Sequence, residues 1–337
     1  MSDKTMKIIL SVLTGILLVL IIGLFTIKDG VRNTDLNKMA LRIGELRPYR
    51  TMNKADIYGY MEKAFARLGY NVISSTEDNL YPSALEDAGV NIYVRGYNQF
   101  NQVRPNKKAV NIIYIRDFDS LYPEELNAYD GIATSSHDFY DYVMSNGYAA
   151  AYVPEFSDPS VFYPSPRPEL EDDLLYVGDN DRFSPAISMA LDAKLPVHIY
   201  GRFWENNIDD GYLQGEYIHE SDLGAYFSSA KINLVNISEN ESRIGIIPSR
   251  VFDIASAKGF MIAPYNKEIE AVFGDAIPMF KTAEELKALY KKYITDPKAR
   301  AEKAEKAYRI AVAEYNVDAF TQRLNGLIEF LINEKRL

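Results

Sequence analysis

The chain contains no cysteine in 337 residues. Disulfides, thiolate metal ligands and cysteine nucleophiles are therefore excluded, and the composition is compatible with the cytoplasm. Histidine is scarce. His137, His198 and His219 lie far apart, and none has the close spacing of a helical metal pair such as HExxH, so no histidine-based metal site is expected. No long Lys/Arg tract offsets a formal charge of −10. That balance disfavours a general nucleic-acid binder, whereas a sugar-phosphate ligand needs only a local basic pocket. Internal repeats and low-complexity segments are also missing.

Long apolar runs are lacking too, with one exception from Ile8 to Ile27. This uncharged run has about the 20 residues that one bilayer-spanning helix needs. It is long for a signal-peptide core, and no A-x-A cleavage site follows, so the expectation is an uncleaved single-pass anchor. Lys4 and Lys7 precede the run, while Lys28, Arg32, Lys38, Arg42 and Arg47 follow it. The positive-inside count places the body in the cytoplasm, at the inner (cytoplasmic) membrane. The sequons Asn236-Ile237-Ser238 and Asn240-Glu241-Ser242 would fit a lumenal body instead.

What the chain does have is 47% hydrophobic residues and length enough for two domains. Short apolar strands alternate with helical patterns, which predicts an α/β body. The expected organisation is a tail over 1–7, the anchor over 8–27 and a juxtamembrane linker over 28–38. A first domain over 39–160, a proline-rich linker over 161–173 and a second domain over 174–315 come next, and a last helix lies within 316–337. Two strands of the second half, Leu174–Val177 and Val197–Tyr200, run into Gly178 and Gly201. Strands that end at glycine leave room for a ligand at their carboxyl ends.

The segment from Pro248 to Gly259 reads as a short helix, with proline at its start and glycine at its stop. Arg250 and Asp253 lie three apart on one face. The first turn of a helix attracts anions, and Arg250 could add a forked donor to a diphosphate. One turn further on, the Asp253 carboxylate could accept hydrogen bonds from both ribose hydroxyls. The alternative is an ordinary exposed ion pair, worth at most about 1 kcal/mol.

Leu175-Tyr176-Val177-Gly178 with Arg182, Ile199-Tyr200-Gly201 with Trp204, and Pro248-Ser249-Arg250-Val251-Phe252-Asp253 with Gly259 carry a family likeness. They resemble the C-terminal half of CgeB-type (spore maturation protein type) glycosyltransferases, group 1 glycosyl transferases of the GT-B fold. Ile132-Ala133-Thr134-Ser135-Ser136, and Tyr152-Val153-Pro154 with Asp158-Pro159, fit the same family in the first half. The resemblance implies two Rossmann-like domains facing a cleft, with the acceptor on the first, the nucleotide-sugar donor on the second, and the final helix returning to the first. It also implies that Arg250 and Arg182 approach the diphosphate, that Asp253 contacts ribose, and that Gly178 and Gly201 let the backbone come close to the donor. The wider fold group usually carries glutamate where this chain has Asp253.

Two residues are candidates for catalysis. Asp117 follows the apolar run Ala109–Ile115, where it could serve as an acceptor-side general base. With Asp119 it also forms a D-x-D pattern that could hold a divalent ion, although a chain with 47 acidic residues produces such patterns by chance. His137 stands at a helix start beside Ser135 and Ser136, where it could cap the helix or meet an acceptor. The expected function is transfer of a sugar from a nucleotide diphosphate donor, with no obligatory cofactor or metal. The acceptor would be an envelope or surface glycan, whether a free glycan, lipid-linked or on a protein. A non-catalytic scaffold and a nucleotide-sugar epimerase on the same fold are the alternatives.

Overall fold

The computed structural model describes residues 40–45, 57–75, 89–95, 109–116, 118, 123–180, 184–205, 208–209 and 211–335. The apolar run 8–27, Asp117, Asp119 and Arg182 lie outside these. Among the described residues no helix is long and apolar enough to cross a membrane.

The first half alternates strand and helix: β1 (Ala40–Glu45), α1 (Ile57–Arg67), β2 (Asn71–Ser75), β3 (Val90–Arg95), β4 (Val110–Ile115), α2 (Pro123–Leu126), β5 (Gly131–Thr134), α3 (His137–Ser145) and β6 (Ala150–Tyr152). All six strands are parallel, in the order β2-β1-β3-β4-β5-β6. Every residue of β3 and β4 is buried. Helices cover both faces of the sheet there, so apolar residues of these strands point to both sides, Ile92 and Ile112 to one core and Tyr93 and Ile113 to the other. α1 presents Met61, Ala64 and Phe65 to one face, while α3 presents Phe139 and Val143 to the other.

The second half continues with β7 (Leu175–Val177), α4 (Pro185–Asp192), β8 (His198–Tyr200), β9 (Leu213–Gly215), α5 (Glu220–Ser229), β10 (Asn233–Leu234), α6 (Glu239–Ile244), α7 (Ser249–Ser256), β11 (Met261–Pro264), α8 (Lys267–Phe273), β12 (Met279–Phe280), α9 (Ala283–Ile294), α10 (Pro297–Glu314) and α11 (Val317–Lys335). Its strands are parallel and ordered β12-β11-β10-β7-β8-β9. Counted within the half, that is the 3-2-1-4-5-6 arrangement of dinucleotide-binding sheets, and the strand order reverses between β7 and β10.

α11 is last in sequence but belongs to the first sheet. Phe320, Leu324, Leu327, Ile328 and Leu331 enter the core built by Met61, Phe65, Ile112 and Tyr114. The two chain crossings between the halves run side by side: the Ser157 N–H donates to the Tyr315 carbonyl at 3.0 Å, and Ser157 forms a parallel bridge with Asn316. The halves also meet at the start of α3. There the Ser136 hydroxyl donates to the Ile244 carbonyl, and Lys267 pairs with Asp138 at 2.6 Å.

Periodicity predicts a helix from Leu223 to Ser229, but α5 begins at Glu220. The His219 imidazole accepts the Ser221 N–H at 3.3 Å and so starts the helix three residues earlier. Histidine is an uncommon cap, so sequence pattern does not mark it.

Candidate functional site

α7 begins directly after Pro248, whose extended backbone (φ −59°, ψ 144°) leaves Ser249 and Arg250 in the first turn. Val251, Phe252, Ile254 and Ala255 are buried on the inner side. Ser249, Arg250 and Asp253 face a cavity of about 690 Å³ between the two halves. Pattern predicts Gly259 as the helix stop, yet the left-handed turn is made by Lys258 at φ +58°. Glycine at 259 answers a different need, because a Cβ there would lie 2.5 Å from the Phe227 carbonyl oxygen and 2.9 Å from Asn233 Nδ2.

Arg250 Nη1 lies 3.7 Å from Asp253 Oδ2, and its guanidinium sits 5.1 Å over the Phe227 ring. The pair is not the freely exposed one of the alternative reading: the side chains are 35% and 12% exposed. Burial pushes the Asp253 carboxyl up to about 7. That position already balances Arg250 and the Ser157 hydroxyl, which lower it, against nearby Glu155 and Glu220, which raise it.

Both glycine-ended strands reach the same cavity through Gly178 and Gly201. Gly201 has a strict spatial reason. A Cβ there would fall 2.0 Å from the Gly178 carbonyl oxygen and 2.6 Å from its carbon, so two main chains touch where the loops leave β7 and β8. Trp204 secures the contact from below, donating its indole N–H to the Gly178 carbonyl at 2.8 Å, while Asp179 pairs with Arg202. Trp204 is buried against Tyr176 and does not offer a stacking surface to the cleft. Gly201→Ala should therefore destabilise the fold by about 2–4 kcal/mol, because backbone meets backbone and no side chain can yield. Urea unfolding would check this, and a loss below ~0.5 kcal/mol would refute the contact.

The opposite wall comes from the first half. Arg116, just past β4, holds Glu155 by two bonds of 2.7 Å each. Ser157 and Asp158 follow on the same segment, and Tyr60 reaches across from α1 to donate to Glu220 at 2.9 Å. Glu220 opens α5, so this bond joins the two halves across the cavity. A smaller cavity of about 240 Å³ adjoins at the strand-order reversal, lined by Gly178, Asn233, Asn236, Ser238, Glu241 and Arg250 among others.

Of the predicted site residues, Gly178, Gly201, Arg250 and Asp253 are brought together on one cleft. Asp117 and Arg182 lie outside the described residues. His137 is not brought to the cleft: its ring packs on Tyr152 at 5.1 Å and faces a separate groove between α3, β6 and α11. Ser136, not His137, caps α3, accepting the Phe139 N–H at 3.0 Å. Tyr60, Arg116, Glu155 and Glu220 carry no local motif, and only folding assembles them. Among the described residues, no group of three or more His, Asp and Glu side chains is arranged to hold a metal ion.

Residues 183–326 match a family described as glycosyl transferase-like, a stretch confined to the second half and α11. No curated protein matches the chain. Solved structures share its fold. Sucrose-phosphate synthase from Thermosynechococcus elongatus aligns with a TM-score of 0.63 at 12% identity, over 88% of this chain and 100% of that one. A glycosyltransferase from Rickettsia africae ESF-5 aligns at 0.61 and 8% identity, over 88% and 99%. T4 phage BGT in complex with UDP and Mn2+ aligns at 0.57 and 15% identity, over 86% and 99%. The architecture is thus the GT-B type, two parallel α/β domains across a cleft.

Proposed function

We propose that this protein is a glycosyltransferase that takes its sugar from a nucleoside diphosphate donor held on the second domain. The observation that carries this reading is the placement of Arg250 and Asp253 one helical turn apart, at the start of α7, in a cleft that Gly178 and Gly201 also line. The guanidinium and the main-chain N–H groups of the first turn suit a diphosphate, whose charge grows as the sugar departs. Asp253 lies deeper and suits the ribose hydroxyls. The smaller cavity beside Arg250 extends the polar surface along the strand-order reversal, where open α/β sheets bind ligands. Tyr60, Arg116 and Asp158 leave the facing wall to the acceptor.

The narrower parts of the reading rest on sequence. The residues around Pro248–Gly259 support the CgeB-type subgroup, and the run 8–27 supports a single-pass anchor with a cytoplasmic body and an envelope or surface glycan as acceptor. The direct test is thermal unfolding of the full chain with nucleoside diphosphates, nucleoside monophosphates and pyrophosphate. A ligand at 100 times its Kd stabilises by about 2.7 kcal/mol, so a diphosphate nucleotide should raise Tm by several degrees and a monophosphate by less. Equal, negligible shifts for every nucleotide would overturn the reading.

A further inference from the structure

One face of the first domain points to a partner that has nothing to do with the cleft. It lies at the edge of the first sheet, where β6 has no further strand beside it among the described residues. α3 and α11 flank that edge from opposite faces of the sheet, and together they line a groove of about 1010 Å³. Met144 of α3 and Phe330 of α11 stand 46% and 50% exposed there, each a large apolar side chain on a surface helix.

The centre of α11 is harder to explain from one chain. Gly326 sits in mid-helix, where glycine is a much poorer helix former than alanine. Its φ is ordinary, and a Cβ built on it would meet nothing within 4 Å among the described residues. The glycines at 201 and 259 are explained by neighbouring main chain, but nothing among the described residues requires this one. A mid-helix glycine on an exposed face has a use when another helix must approach closely.

The residues around Gly326 specify which helix. Arg323, Gly326, Leu327, Phe330 and Glu334 follow helical spacing along one face. The stripe is basic at its start, apolar in the middle and acidic at its end. Positions 326 and 330 are centred on 328, and positions 323 and 334 almost on the same point. An antiparallel copy of this helix crossing there sets Phe330 over the open space at Gly326 of the second copy. In the same register Arg323 faces Glu334 of the second copy, at both ends at once. Arg323 is held ready by its own chain, since its Nη1 donates to the Glu314 carbonyl at 2.8 Å and its guanidinium covers the Tyr315 ring at 5.5 Å.

We propose that this face is the two-fold interface of a homodimer, in which α11 packs antiparallel on α11 of a second copy. A two-fold axis requires such self-complementarity, in which each patch contacts its own image. The inference does not depend on what the cleft binds.

Sedimentation of the full chain in detergent tests it. The wild type should form a dimer. Gly326→Leu should be monomeric while keeping or raising Tm, because it fills open space and replaces a poor helix former with a good one. Glu334→Arg should weaken the dimer about tenfold, and combining it with Arg323→Glu should restore it by re-pairing the charges. The absence of native cysteine allows a register test. A mixture of single Arg323→Cys and Glu334→Cys chains should cross-link with a short bis-maleimide, whereas Arg323→Cys alone should not, because its two copies would lie about 16 Å apart along the axis. A monomeric wild type, a dimer that survives Gly326→Leu, or efficient cross-linking of Arg323→Cys to itself would each overturn the proposal. A monomer that instead binds phosphatidylcholine vesicles through Phe330 would do the same and would assign the face to a membrane.

Discussion

Asp253→Asn is expected to make the protein more stable at pH 8 and less able to hold a nucleotide. The carboxyl titrates at about 7 in the folded chain against an ordinary 3.8, with burial as the leading cause. Below the ordinary value both the folded and unfolded forms are protonated, and the group makes no difference. Between about 4 and 7 the folded form keeps a proton that the unfolded chain has released, so stability falls as pH rises. Above 7 the charged group is buried and the whole penalty is present, roughly 2–4 kcal/mol for a shift of about three units in a cleft open to water. Asparagine has the same shape and no charge to bury. Its Tm should exceed that of the wild type by several degrees at pH 8, and the two curves should converge near pH 4. Parallel curves across that range would show that Asp253 is not the titrating group. A carboxylate that lowers stability and yet occupies the cleft is what a ligand-binding residue looks like, so affinity for the ribose-bearing nucleotide should fall in the same variant, while pyrophosphate binding should not.

Arg250→Ala should weaken binding of a nucleoside diphosphate by about 1.5–3 kcal/mol, or roughly 10- to 150-fold in Kd. The side chain is placed for this by three contacts: the first turn of α7 beneath it, the Phe227 ring at 5.1 Å and Asp253 at 3.7 Å. Arg250→Lys should recover only part of the loss, because an ammonium keeps the charge but not the fork. Binding of the nucleoside alone should change little. Calorimetric titration separates these outcomes, and an unchanged Kd for the diphosphate in the alanine variant would remove Arg250 from the site.

The two residues behind these predictions could be found in the sequence because they lie three apart on one short helix, with proline before it and a buried strand after it. Gly178 and Gly201 were visible for a similar reason, since each follows a short apolar strand. The reason for glycine was not visible. At 201 and 259 it is the approach of another main chain, which no local pattern encodes. The facing wall was illegible for a plainer reason. Tyr60 and Glu220 are 160 positions apart, and Arg116 and Glu155 are 39 apart, so only the docking of two domains makes them neighbours. His137 shows the opposite case. Its position at a helix start beside Ser135 and Ser136 leaves capping and an acceptor contact both open, and α3 turns that ring toward Tyr152 and the outer groove.

The return of α11 to the first sheet has a consequence for how the chain is made. The core around Met61, Phe65, Ile112 and Tyr114 is closed by Phe320, Leu324 and Ile328, which are made only after the whole second half. Domains otherwise tend to fold in the order of synthesis. Here the half that emerges first waits, with one face of its sheet covered only in part by α1, until α11 has been made. The half that emerges second can complete its own sheet beforehand. A product cut short before α11 would therefore spoil the domain farthest from the cut in sequence, and the apolar surface left bare would mark it for chaperones or proteases.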